Sequence, residues 1–312
     1  MAQVNMQLVK ELRDRTSAGL NDCKAALIEA EGHLEKAVEV IQKKGLAKSV
    51  KRAGAIASEG LVITRVSPDG HVGAITEVNI QTDFAARNAE FVAFAEKVAE
   101  AALTAKAGAD LGAEPFPGGS GTIEDNRAAL VGKLGENITV RRWDRLAIDG
   151  AGRVHSYVHM GGKIGVLLAV RTGTEAAAKA PSFEKFVDDS AMQIAAMAPQ
   201  FLNVSEMPAD AREKQAEIFR AQMLEEAKPA PEAARPKIIE GKLAKWAKEV
   251  CLLEQQSVLD ADKTVDALRA SLAKELGTEV TLIRFVRYER GEGIEKPVAP
   301  DFATEVAKMA GG

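Results

Sequence analysis

Three features of the sequence predict an α+β fold in two related subdomains. Runs rich in β-branched residues cluster in two groups, near Leu61 to Ile80 and near Ile138 to Val170. Helical stripes accompany each group, such as Phe91, Phe94, Ala95, Val98 and Ala102 at i, i+3, i+4, i+7 and i+11. From Pro208 to about Val250 the propensity is almost purely helical, which sets an arm apart from the strands.

Residues 1–45 read as three short helices, with stripes Leu8, Val9, Leu12, then Leu20, Cys23, Leu27, Ala30, then Leu34, Val38, Ile41. Gly32 and Gly45 sit where helix ends favour a residue that tolerates positive φ. Thr16-Ser17-Ala18-Gly19 forms the turn between the first two helices. So small a bundle has a thin core and needs a surface to lean on. Lys43 through Gly54 is basic and lacks a sustained apolar face, so it is expected to be a solvated linker with helical tendency.

From Glu59 the period becomes that of strands. Leu61 to Val66 and Val72 to Ile80 flank a Ser67-Pro68-Asp69-Gly70 turn. A helix follows Asn88, then a Gly- and Pro-rich loop from Gly108 to Gly121, and a second helix from about Glu124 to Leu134 ends at Gly135. A meander is expected next, with strands Ile138 to Trp143, Val154 to His159 and Ile164 to Val170. Phe183, Phe186, Val187, Ile194 and Met197 mark another helix. Two helices broken by Lys228-Pro229-Ala230-Pro231 and Pro236 make an αα-hairpin. A helix from Lys263 to Leu276, a strand from Glu279 to Tyr288 and a short C-terminal helix with Phe302, Val306 and Met309 complete the chain.

With 46% apolar and 28% charged residues over 312 positions, the composition is that of ordinary globular domains rather than a disordered chain. A formal charge of −4 provides no basic field, so no direct nucleic-acid partner is expected. Cys23 and Cys251 are too few for a disulfide framework. The first fifteen residues, with Lys10, Glu11, Arg13, Asp14 and Arg15, are not expected to act as a signal peptide. No apolar run approaches the ~20 residues of a membrane helix. The expectation is a cytoplasmic protein with no membrane role.

Chemistry-bearing motifs are scarce. Gly132-Lys133, Gly162-Lys163 and Gly241-Lys242 are each followed by Leu or Ile, so none completes a phosphate-binding loop. His155 and His159, four apart on a strand, share a face, yet no third ligand stands at convincing spacing. Carboxylates fall by pattern on helix surfaces. The sequence therefore reads as a binding protein with no metal or cofactor, not an enzyme.

The most distinctive stretch is Gln81-Thr82-Asp83-Phe84-Ala85-Ala86-Arg87-Asn88, where a strand hands over to a helix. Asp83 or Asn88 can cap that helix. Phe84 then either closes the end of a core or points outward as an apolar wedge for a partner.

Several motifs in order carry a family resemblance: Leu8 to Arg13, Thr16 to Leu27, Glu77-Val78-Asn79-Ile80-Gln81-Thr82-Asp83-Phe84, Ser156-Tyr157-Val158-His159 before Ile164-Gly165-Val166-Leu167, Gln193 to Ala196, Arg284-Phe285 and Gly291 to Lys296. In these the chain resembles bacterial elongation factor Ts, the nucleotide-exchange factor of elongation factor Tu. The resemblance implies a ubiquitin-associated-like helical domain with its basic linker (1–54), a core N-subdomain (55–140), a core C-subdomain (141–200 and 246–290), a helical hairpin insertion (201–245) and a C-terminal helical module (291–312). It implies a partner, elongation factor Tu, contacted by Thr82, Asp83, Phe84 and His159, and by Arg13, Thr16, Gly19 and Leu20 of the N-terminal domain. It also implies that the Asp83-Phe84 loop intrudes on the partner's magnesium and phosphate site, and that the hairpin offers a further partner or homodimer surface. Ser17 stands where the family often has Gly, Leu20-Asn21 where it has two methionines, and Ala85 where Val is common.

Overall fold

The computed structural model describes residues 5–16, 18–225 and 231–295. The N-terminal helices are α1 (Met6–Thr16), α2 (Leu20–Glu29) and α3 (Leu34–Arg52). Strands β1 (Glu59–Val66) and β2 (Val72–Ile80) lead to helices α4 (Asp83–Ala86), α5 (Ala89–Thr104) and α6 (Ile123–Leu134). Strands β3 (Ile138–Ala147), β4 (Gly152–His159) and β5 (Ile164–Thr172) precede helices α7 (Glu175–Ala178) and α8 (Pro181–Met197). The hairpin is α9 (Ala209–Glu225) with α10 (Arg235–Val250), followed by α11 (Val265–Leu276) and β6 (Val280–Glu289). Ser17, Lys228 to Ala230 and the expected C-terminal helix with Phe302, Val306 and Met309 lie outside the described residues.

The strands form two antiparallel sheets, ordered β1-β2-β3 and β4-β5-β6. Helices α5 and α6 cover the outer face of the first through Phe91, Phe94, Val98, Ile123 and Val131. Helices α8 and α11 cover the second through Phe183, Val187, Ile194 and Leu272. The inner faces meet through Val62, Ile75, Leu146, Val154, Leu167 and Val286, giving a helix–sheet–sheet–helix stack. The central strands β2 and β5 are therefore buried on both faces, which is why they read as continuous apolar runs. Two glycines let the sheets approach: a Cβ on Gly73 would lie 2.6 Å from Val154 Cγ1, and one on Gly165 would lie 2.5 Å from Val62 Cγ1.

Two expectations are corrected. The three-strand meander does not exist, because β3 pairs with β2 while β4 pairs with β5. The chain crosses from one sheet to the other at 148–152, where Ile148 N donates to His71 O and Val154 N donates to Gly70 O. Turn residues there mimic a hairpin locally, and only the distant pairing distinguishes the two. The expected subdomain boundary at 140/141 thus falls inside β3, and the one at 245/246 falls inside α10.

The basic linker is likewise a continuation of α3, which runs through Gly45 to Arg52. Gly45 caps nothing: a Cβ there would touch Ala128 O and Ala129 Cα at 3.4 Å, so the glycine lets α3 lie close against α6. Arg127 of α6 secures the contact by donating to Ser49 Oγ (2.8 Å) and to Ile138 O (2.6 Å). This is the surface on which the thin N-terminal bundle leans.

One carboxylate is far from any helix surface. Glu77 on β2 is fully buried and accepts from the Gly291 N–H (2.7 Å), the Asn79 amide (3.0 Å), Arg142 Nε (2.6 Å) and Arg141 Nη1 (3.1 Å). Arg142 also donates to Glu289 O at 3.0 Å, and its guanidinium lies 4.2 Å from the centre of the Tyr288 ring. The turn after β6 is thereby tied to β2 and β3. Burial opposes the charge on Glu77, but the Gly291 N–H, Asn79 and Arg142 together outweigh it and hold the carboxyl below its ordinary 4.5.

Gly73→Ala is expected to lower stability by about 1–3 kcal/mol through overpacking between the sheets, read from urea unfolding. Glu77 adds an acid dependence. Its folded-state pKa lies below the unfolded one, so the stabilisation is full above 4.5 and is lost as pH falls through the lower folded value. Unfolding midpoints should drop from about pH 5 downward. Glu77→Gln should destabilise by about 3–5 kcal/mol at neutral pH and flatten the acid profile; an unchanged acid slope would remove Glu77 from this role.

Candidate functional site

The strand-to-helix handover is built as a small pedestal. Thr82 Oγ1 accepts from Ala85 N at 3.2 Å and opens the single-turn helix α4. Glu136, just past the left-handed Gly135 that ends α6, holds Thr82 with both carboxylate oxygens: Thr82 N donates at 3.0 Å and Thr82 Oγ1 at 2.8 Å. Gln81 Oε1 accepts from Asn137 N at 2.6 Å. Asn88 caps α5 by accepting from Glu90 N at 2.9 Å, so of the two predicted caps it is Asn88 that serves α5. Ala86 is buried beneath α4, whereas Phe84 is 84% exposed. The open question about Phe84 is thus decided: it closes no core, and it points outward.

The other sheet contributes the turn between β4 and β5. His159 ends β4 exposed, and its Nδ1 lies 3.0 Å from the Tyr157 hydroxyl. Met160 follows in the left-handed region at φ +49 and is 68% exposed. Phe84, Thr82, Asp83, Arg87, Met160, Gly161, Lys163 and Arg290 line one open cleft of about 780 Å³. His159 directly precedes Met160 in the chain but does not itself line the cleft. The structure therefore brings Thr82, Asp83, Phe84 and His159 to one end of the two-sheet stack.

The predicted N-terminal set lies elsewhere. Arg13 and Leu20 are exposed, Gly19 precedes α2 in extended conformation, and Thr16 Oγ1 is turned inward to Leu12 O at 2.7 Å. Leu20 therefore leaves the stripe in which it was read, and the bundle core is closed by Val9, Leu12, Cys23, Leu27 and Ala37. Thr16 and Gly19 line a groove shared with Lys44, Gly45, Gly132 and Lys133, at the junction of the bundle and α6.

A family profile described as Elongation factor TS matches residues 81–292. The chain is 47% identical over 310 residues to elongation factor Ts of Clostridium botulinum, across 99% of each chain. The chain belongs to the elongation factor Ts family. It is also 45% identical over 310 residues to elongation factor Ts of Clostridium perfringens, across 99% of each chain. Against elongation factor Ts of Symbiobacterium thermophilum the figure is 42% over 311 residues, 100% of this chain and 99% of that one. The profile begins at Gln81, the first residue of the pedestal, and takes in Glu136 and the β4–β5 turn.

His155 Nε2 meets Asp188 Oδ1 of α8 at 3.1 Å, and burial pushes its pKa below the usual value against the pull of Asp188. Among the described residues no group of three or more His, Cys, Asp or Glu is arranged to hold a metal, and no helix is long and apolar enough to cross a membrane. Sequence reasoning missed Glu136 and Met160. The first stands directly after a Gly that ends a helix, but its partner is 54 residues away; the second was hidden by the Gly-Gly-Lys turn signal that follows it.

Glu136→Ala should free Thr82 and loosen α4 without lowering the unfolding free energy by more than about 1 kcal/mol. Amide hydrogen exchange at Ala85 and Ala86 is the check, and undiminished protection would show that Glu136 does not hold the pedestal.

Proposed function

We propose that this member of the elongation factor Ts family is the guanine-nucleotide exchange factor of elongation factor Tu, and that Thr82, Asp83 and Phe84 carry the exchange. The observation that supports it is Phe84 itself: a large apolar side chain held in water on a hydrogen-bonded turn. It is the most exposed of the large apolar side chains among the described residues, and burial of an aromatic anchor in a partner would account for it. Inserted into the GTP-binding domain, Phe84 would displace elements that position the magnesium ion and the phosphate-binding loop. Those are the strongest holds on GDP, because backbone N–H groups and a divalent cation share its phosphate charge. Asp83 would follow Phe84 into the same site, and His159 would pack beside the intrusion. Arg13, Thr16, Gly19 and Leu20 would make a separate contact from the N-terminal bundle, with exposed Leu20 as its apolar anchor.

No covalent chemistry is required. An exchange factor binds the nucleotide-free GTPase more tightly than the GDP-bound form, and GDP must weaken the factor by the same ratio. Each tenfold gain in release corresponds to about 1.4 kcal/mol of differential stabilisation. Burying one phenylalanine contributes roughly 1.5–3 kcal/mol, so Phe84 supplies one or two decades and other contacts supply the rest.

Release of a fluorescent GDP from purified elongation factor Tu tests this directly. Catalytic amounts of the wild-type protein should accelerate release, and Phe84→Ala should slow the accelerated rate about ten- to a hundredfold while binding to the nucleotide-free partner falls much less. The unfolding midpoint should not move, because Phe84 supports no core. Equal losses in rate and binding would reduce Phe84 to a simple contact, and no acceleration by wild type would refute the exchange function.

A further inference from the structure

We infer that Met160 is a second apolar anchor for elongation factor Tu, seated beside Phe84 against apolar side chains of the same GTP-binding domain; this rests on the exchange-factor reading above. Met160 and Phe84 are respectively 68% and 84% exposed and line the same cleft, one from each sheet. Among the described residues Met160 contributes to none of the hydrophobic clusters, so its side chain belongs to no core.

Its backbone makes the choice of residue more telling. Met160 occupies the left-handed region at φ +49, and Gly161 and Gly162 follow at +61 and +93. A third glycine would relieve the crowding of a Cβ in that conformation. A side chain retained against backbone strain and left in water points to a role outside the fold. Methionine suits such a surface, since its unbranched, polarisable chain adapts to an apolar partner.

The anchor is also rigidly placed relative to Phe84. Gly162 O accepts from Val62 N of β1 at 2.8 Å, and Arg290 N donates to Lys163 O at 2.8 Å. A Cβ on Gly162 would meet Leu61 Cδ2 at 2.9 Å, so the turn is pressed directly onto β1. Strand β1 pairs with β2, whose end carries the Phe84 turn. A partner that receives Phe84 is therefore presented with Met160 at a fixed offset, and this continuity of surface names the occupant. Met160 would hold the partner while Phe84 disturbs it.

The roles separate in one titration. GDP release from purified elongation factor Tu is followed against concentration of the full-length wild type, Met160→Gly and Met160→Leu. Met160→Gly should need about tenfold more protein for half-maximal acceleration and reach the wild-type plateau, while Met160→Leu should behave as wild type. The thermal midpoint of Met160→Gly should equal or exceed that of wild type, since glycine fits the left-handed backbone; a merely structural Met160 would move it down. An unchanged half-maximal concentration with wild-type acceleration intact would overturn the anchor and leave the exchange function standing. A fall in the thermal midpoint, or a change in oligomeric state in place of a change in exchange, would assign Met160 to the fold or to a second copy and overturn it as well. No acceleration by wild type would remove both readings together.

Discussion

The buried carboxylate of Glu77 is the interaction on which the arrangement of the two sheets depends. An isolated ionised carboxylate in such a place would be untenable, and it would neutralise unless every lone pair were matched. Here a backbone N–H, a side-chain amide and two guanidinium groups converge on it. Two of those donors are on β3 and one is in the turn after β6, so satisfying a single charge fixes strands that belong to different sheets. Apolar contact between the inner faces is larger in area but non-directional. Glu77 supplies the direction, and it selects one offset between the sheets among the many that apolar packing would tolerate.

That offset is what the candidate site consists of. The Phe84 turn grows from the end of β2 and the Met160 turn joins β4 to β5, so neither sheet alone carries the surface. Between them Arg290, in the turn tied down by Glu77, donates to Gly60 O at 3.2 Å and pairs with Glu59 at 2.9 Å. Gly73 and Gly165 act in the same sense by removing the atoms that would hold the sheets apart. The consequence is a rim whose two apolar tips keep their spacing without a partner present. Preorganisation of this kind lowers the ordering cost of association, because little remains to be immobilised on contact.

What was legible in the sequence was local. The caps at Gly32 and Gly135 were readable because a left-handed residue at a helix end is a requirement of the nearest few backbone groups. The strand-to-helix handover at Gln81 to Asn88 was readable because the period changes there from 2 to 3.6. What was illegible depended on partners far along the chain. Gly45 looked like a helix end because glycine disfavours helix interiors, yet α6, more than 80 residues away in the fold's assembly, is what makes a missing Cβ useful (Gly45 to Ala128). Strand β3 looked like the start of a meander because its turn signals are genuine, while its pairing with β2 is set across at least 58 residues (Ile80 and its partner Ile138 bracket the intervening helices). Glu77 was read with the other carboxylates because nothing adjacent announces a ligand such as Gly291, 214 residues on.

The direction of Phe84 lay between these cases. Its neighbours fit a buried ring as well as an exposed one, since Asn88 caps α5 in either arrangement. The clamp from Glu136 separates them. By taking both donors of Thr82 it fixes α4 so that Ala86 faces the core and Phe84 faces away, which leaves no rotation of the turn that buries the ring without breaking two hydrogen bonds to a charged acceptor. Both bonds lie at the exposed surface, where water can replace them, so together they contribute about 1 kcal/mol and serve to orient α4. The exposed ring goes with a polar clamp that sets which face of α4 meets the core. On the proposed exchange reading, a turn held that way would present the ring to the partner without folding back onto the core.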